Sequence, residues 1–207
     1  MYDFVRMDKR HLLEDIALRS GGVLGTKDAI EAGVHRRDLY ALRDEGFLVE
    51  ISRGLYRLAD AEATPYLDLI AVSRRCPRGA ICLNSALSFW DLTDEIPAEV
   101  HLAVPRGSRP PSIDYPPTYV HVFAAVTFDL GRERIGLESG EEIAIYSPER
   151  SVVDAMRMRG QVGADVAYEA LRRYLRRPGS SPGDLLRLAR RLRAGGPVAD
   201  ALEVLTG

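Results

Sequence analysis

The chain has 207 residues, 46% hydrophobic and 28% charged, with 28 Lys and Arg against 30 Asp and Glu. That composition suits one large globular domain or two small ones, and a net charge of −2 argues against a generic polyanion binder. No apolar run reaches the roughly 18 residues of a membrane span, and Met1 to Arg10 carries no apolar h-region, so the expectation is a cytoplasmic protein with neither signal peptide nor membrane contact. Cys76 and Cys82 have no neighbouring histidine to complete a zinc set. They read as small residues in a reducing compartment.

In chain order, Asp8 is a candidate N-cap for a helix to about Arg19, with Leu12, Leu13, Ile16 and Ala17 at helical spacing. Gly21-Gly22 stops it, and Val23-Leu24 is a short apolar step. Thr26 is expected to cap a second helix, Lys27 to Glu31, and Ala32-Gly33-Val34 is a tight turn. A third helix is expected from Arg36 to Asp44, closed by Gly46. Phe47 to Ile51 and Leu55 to Leu58 read as strands joined by the turn Ser52-Arg53-Gly54.

Residues 59–64 are small and polar, a natural linker, and Pro65 opens a helix to about Arg75. Beyond it the pattern predicts a helix over 81–90, strands over 100–104, 120–126 and 142–146, and a loop over 106–117. Helices are expected over 148–157, 163–177, 182–193 and 197–205. No internal repeat is visible. The charge is uneven: residues 1–58 balance, 59–156 carry 8 basic against 15 acidic residues, and 157–193 carry 10 arginines against 3 acids. The basic segment is suited either to docking on the acidic middle or to nucleic acid.

The N-terminal order of helix, helix, turn, helix and hairpin is that of a winged helix-turn-helix. Such a module sends the N-terminal residues of its second helix into a groove of DNA. Here those are His35, Arg36 and Arg37, followed on the same face by Tyr40 and Arg43. Arginine suits a bidentate bond to guanine or a phosphate. The wing offers Arg53 at its tip and Arg57 on its second strand, with Ser52 and Tyr56 as phosphate donors. Thr26 and Lys27, where the preceding helix starts, add a phosphate site. A winged helix used only for protein contacts is the other reading, kept open by the module's zero net charge.

The segment resembles the N-terminal domain of the AbiEi family antitoxins of type IV toxin–antitoxin systems. Gly22-Val23, Thr26, Ala29, Ala32-Gly33-Val34, Arg37, Leu39, Gly46 and Arg53-Gly54-Leu55-Tyr56 fall on that family's pattern. Past the linker, LNSALSFWDLTDEIP (Leu83 to Pro97) and YSPERSVVDAMR (Tyr146 to Arg157) resemble two further family segments, with Phe89-Trp90 where Leu-His is expected. The resemblance implies repression of the chain's own operon through inverted repeats in its promoter. It also implies action against a nucleotidyltransferase-like toxin through the C-terminal domain, without a stable complex.

Enzyme chemistry finds little support. No lysine follows Lys27, so neither a restriction-type nuclease site nor a P-loop can be assembled in residues 60–207. Gly107-Ser108 is followed only by a lone Asp114, which does not make a nucleotidyltransferase site, and His101 and His121 lack a G-x-S-x-G elbow. Asp91, Asp94 and Glu95 read as a solvated helix end. Arg172, Arg173, Arg176 and Arg177 read as a solvated helix face, or as further contacts to nucleic acid or to the acidic middle. The expected fold is α+β: a winged helix-turn-helix over 1–60, then a mixed α/β domain over 65–207 ending in Arg-rich helices. No catalytic residue, metal or cofactor is expected. The alternative to an antitoxin is a stand-alone winged-helix regulator whose second domain senses a ligand or dimerises.

Overall fold

The computed structural model describes the backbone of residues 2–19 and 22–206 and the side chains of residues 9–19 and 22–205. The described residues form an α+β structure that divides into two compact units. The first holds the chain to Arg75 together with Ile113–Pro116 and Ile135–Ile143. The second holds Cys76–Ser112, Pro117–Arg134 and the chain from Ala144 onward.

The first unit begins with α1 (Tyr2–Arg19), β1 (Val23–Gly25), α2 (Thr26–Glu31) and α3 (Arg36–Asp44). The hairpin β2 (Leu48–Ser52) and β3 (Leu55–Leu58) and then α4 (Leu67–Arg75) complete it. The first helix starts at Tyr2, so Asp8 lies inside it rather than at its cap, and Gly21 is outside the described residues. The apolar step at Val23 is a strand: β1 pairs antiparallel with β3, giving the sheet order β1-β3-β2. Gly25 occupies the cap of α2, and its amide donates to the Asp28 carboxylate at 2.9 Å, so Thr26 is the first helical residue. Leu13, Ala17, Leu24, Ala29, Leu39 and Tyr56 meet in one apolar core that ties the three helices to the sheet. Gly33, at φ +90°, makes the turn between α2 and α3, a conformation other residues adopt only with strain.

The second unit holds β4 (Ala80–Ile81), α5 (Leu83–Phe89), β5 (Val100–Pro105), β6 (Thr118–Phe123), the start of β7 (Arg132–Gly136) and the end of β8 (Glu142–Tyr146). Then follow α6 (Pro148–Arg157), α7 (Arg159–Val162), α8 (Ala164–Arg176), α9 (Pro182–Arg191) and α10 (Gly195–Thr206). The five-stranded sheet runs β6-β5-β4-β8-β7, with β5 and β6 parallel, β4 and β5 antiparallel, and β4 and β8 parallel. Ser147 and Ser181 cap α6 and α9, each accepting from the amide three residues on and each followed by proline. Helix α6 is buried along most of its length, and α5, α8, α9 and α10 pack on it.

Candidate nucleic-acid interface

Helix α3 is an amphipathic rod with two anchors. Leu39 and Leu42 are fully buried, and the i, i+4, i+7 row of Arg36, Tyr40 and Arg43 faces the other way. His35 sits at the N-cap but makes no capping hydrogen bond, so its ring is exposed ahead of the helix. Arg36 is exposed, and the Arg37 side chain is 90% exposed with only Asp38 near it, at 3.9 Å. Asp38 turns back to Lys9 of α1 at 2.5 Å, and that ammonium holds its carboxyl below the usual range. Arg43 stands 5.1 Å over the Tyr40 ring and donates to Asp44 at 2.9 Å and Glu50 at 3.2 Å. Arg43 thus braces α3 against β2, while Arg36 and Arg37 remain exposed cations.

The wing is short. Ser52 pairs with Leu55, leaving Arg53 and Gly54 as the turn, with Gly54 at φ +70°. Its amide donates to Glu50 at 2.8 Å, and its carbonyl accepts from the Thr26 amide at 2.9 Å and the Thr26 hydroxyl at 3.2 Å. The wing turn is therefore fastened to the start of α2. This places Arg53 (side chain 85% exposed) beside Lys27 (84% exposed) around one cleft.

Three residues expected at this surface lie elsewhere. Tyr56 is buried in the helical core at 1% exposure, so its hydroxyl is not available to phosphate. Ser52 is buried and donates to the Tyr115 carbonyl at 2.5 Å. Arg57 is buried too, pairing with Glu141 at 2.7 Å and donating to the Ala61 carbonyl at 3.4 Å and the Glu62 carbonyl. Ser52, at the end of β2, is covered by Tyr115, whereas Tyr56 and Arg57 are buried because β3 is the central strand. One face of it packs on the helices, and the other is covered by the 135–143 segment, whose Glu141 is 84 positions away in sequence.

Within the second unit, the Arg-rich segment is largely engaged at home. Arg172 and Arg173 bond Glu169 at 3.1 and 2.9 Å, and Arg173 also grips both carboxylate oxygens of Asp94. That guanidinium keeps the Asp94 carboxyl below its usual range. Arg177 donates to the Trp90 carbonyl at 2.6 Å and lies 6.0 Å over its ring. Arg176 is exposed. Docking onto the acidic middle thus describes Arg173.

Sequence reasoning missed the interior of Tyr146 to Arg157. Arg150 is fully buried, bonded to Asp154 at 2.7 Å and to the Thr127 and Leu130 carbonyls at 2.8 and 2.7 Å, and lies 4.3 Å over the Tyr146 ring. The i, i+4 spacing of Arg150 and Asp154 was the available signal, since it is the spacing of a helical ion pair. His101 and His121 share a hydrogen bond of 3.0 Å on adjacent strands, and burial pushes His121 down to about 4. Among the described residues no group of three or more His, Cys, Asp or Glu is placed to hold a metal ion. No described helix is long and apolar enough to cross a membrane.

No relative of curated function matches the chain significantly. A crystal structure of the RV2827C protein from Mycobacterium tuberculosis is similar over 95% of this chain and 80% of that chain, at 18% identity and a TM-score of 0.48. Residues 11–59 match the family model described as "Transcriptional regulator, AbiEi antitoxin". That match runs from α1 through the wing and takes in the exposed face of α3. Over these residues the chain is similar to the transcriptional regulators of the AbiEi antitoxin family.

Proposed function

We propose that this protein is a cytoplasmic DNA-binding antitoxin of a type IV toxin–antitoxin system. In this reading residues 1–60 repress its own operon by binding inverted repeats in the promoter. Residues 65–207 counteract a nucleotidyltransferase-like toxin, without catalysis and without a stable complex. The observation that carries the reading is α3 itself. Inside the AbiEi match, a helix anchored by Leu39 and Leu42 points His35, Arg36, Arg37 and Tyr40 outward, with the two arginines nearly free of internal partners. Thr26, Lys27 and Arg53, which line one cleft between the start of α2 and the wing, serve as phosphate contacts; Arg43 orients Tyr40.

The test is a fluorescence-anisotropy titration against the chain's own upstream DNA and a scrambled duplex, at two salt concentrations. Preference for the upstream DNA, with affinity falling steeply in salt, is the expected result. Arg36→Ala with Arg37→Ala weakens that binding by about 2–6 kcal/mol, counting roughly 1–3 per bidentate pair. Unchanged binding by a folded double variant refutes the assignment of α3. Co-expression with a neighbouring toxin gene, with each unit supplied separately, tests the antitoxin half. The family match ends at residue 59, which favours one other reading, a stand-alone regulator whose second unit senses a ligand or dimerises. Failure to rescue cells from the toxin, with operator binding intact, selects it.

A further inference from the structure

The cleft beside the wing has a wall that lies beyond the segment matched by the family. Its volume is about 410 Å³, and it is lined by the start of α2, the wing turn and the last turn of α4. Four cations converge on it from three elements: Lys27, Arg53, Arg74 and Arg75. Helix α4 ends 16 residues beyond the matched segment.

A helix C-terminus favours Arg74 and Arg75 through its partial negative charge. That does not explain why Lys27 and Arg53 are held in front of them. The wing supplies the reason for the convergence: Arg75 donates to the Arg53 carbonyl at 3.3 Å, and Gly54 is bonded to Thr26. The cleft's one carboxylate, Asp28, already accepts from the Gly25 amide at 2.9 Å. Lys27 and Arg53 have only loose acidic neighbours on the solvent side, Glu31 at 3.5 Å and Asp114 at 3.9 Å. Like charges gathered at a concave surface raise a strong positive potential there, and the ligand chemistry that relieves it is polyanionic. Arginine's planar fork is matched to phosphate oxygens.

We infer that this cleft seats phosphates of the DNA backbone, so that Arg74 and Arg75 carry the interface past the winged helix. The inference rests on the DNA-binding reading above, because the wing turn and the start of α2 are the elements which that reading lays along the duplex. Contacts to phosphate hold the protein in register and are blind to sequence. The arginines of α4 therefore add affinity for any duplex, while the arginines of α3 add preference.

The experiment uses the full chain and its variants Arg74→Gln and Arg74→Gln/Arg75→Gln, titrated against upstream and scrambled duplexes from 50 to 300 mM salt. Both variants are expected to lose affinity for the two duplexes by the same factor, roughly tenfold per arginine replaced. The slope of log K against log salt becomes shallower by about 0.9 for each phosphate that is no longer neutralised, and the preference for upstream DNA is unchanged. Arg74→Lys keeps the wild-type slope and serves as the folding control. If wild type binds DNA and the Gln variants match it in affinity and slope, the cleft assignment is overturned while the DNA reading stands. If wild type binds neither duplex, the DNA reading and this inference both fall. If inorganic phosphate raises the melting temperature of wild type but not of the Gln variants, and the variants bind DNA as wild type does, the cleft is a small-anion site and the backbone assignment is overturned.

Discussion

Asp154→Ala is expected to be among the most damaging substitutions in the second unit, although Asp154 touches neither surface nor cleft. The Arg150 and Asp154 side chains are both fully buried, and their 2.7 Å bond sets a counter-charge beside the guanidinium. Arg157 closes on the same carboxylate at 2.8 Å from a partly exposed position. Removing the carboxylate leaves Arg150 with two carbonyls and the Tyr146 ring but no negative partner. Breaking a buried pair in this way costs about 3–5 kcal/mol, a large share of the roughly 5–15 kcal/mol that holds a domain folded. The chain's single tryptophan, Trp90, donates to the Tyr146 carbonyl at 2.8 Å, so its fluorescence in urea reports the same unit. With a slope of about 2 kcal/mol/M, the midpoint falls by about 1.5–2.5 M. The double variant Arg150→Met/Asp154→Leu removes both charges and recovers part of the loss. It does not recover all, because the Thr127 and Leu130 carbonyls then lack donors. A midpoint shift below about 0.5 M for Asp154→Ala refutes the claim that this pair organises α6.

Three further outcomes follow from local geometry. Gly54→Ala places a side chain at φ +70° with its Cβ 3.0 Å from the Thr26 hydroxyl; it should lower stability by about 1–2 kcal/mol and weaken DNA binding with it, and an unchanged melting temperature would count against the wing turn as drawn. Leu39→Ala removes an anchor of α3 at 0% exposure; a loss of about 2–5 kcal/mol is expected, read as faster hydrogen exchange of α3 amides than of α6 amides. Burial holds His121 near 4, below its ordinary 6.5. The unfolded chain takes up that proton first, so this contribution to stability is complete above pH 6.5 and is lost as pH falls toward 4, by at most about 3 kcal/mol. His121→Gln should flatten stability against pH in that window, and an equally steep acid slope in the variant would assign the loss to other groups.

The helices and hairpin of the first unit were legible because periodicity and glycine punctuation agree. Ala29, Val34, Leu39 and Leu42 fall at buried positions, and Gly33 and Gly46 stand where φ is positive. The short strands were not legible. Two residues at β4 and three at β1 carry no measurable alternation, and β7 reads Arg-Glu-Arg-Ile-Gly, which looks like a loop. Sequence placed Arg36, Arg37, Arg53 and Arg57 on the elements that hold them but could not orient Arg57. Along β3 the side chains alternate in direction, and an arginine on the face away from the helices reads as exposed. It is buried only because Glu141 arrives from far along the chain. The arginines of α8 pose the same problem, since the partner that fixes Arg173 is 79 positions upstream.

The zero net charge of the N-terminal module, which on composition alone weighs against DNA, takes a different meaning once the pairs are known. Three of its acids are turned to cations on neighbouring elements. Asp38 is turned to Lys9, Glu45 to Arg10 and Glu50 to Arg43, while Glu141, from outside the module, neutralises Arg57. These pairs brace α1, α3 and the sheet against one another. The exposed cations with at most distant acidic neighbours are Arg36 and Arg37 on α3, Lys27 at the start of α2 and Arg53 on the wing, with Glu31 and Asp44 as exposed acids beside them. Exposed pairs at those distances contribute little and are readily exchanged for a phosphate. A balanced formal charge can therefore coexist with weakly paired exposed arginines, because burial and pairing, rather than the count of residues, decide which charges a partner meets.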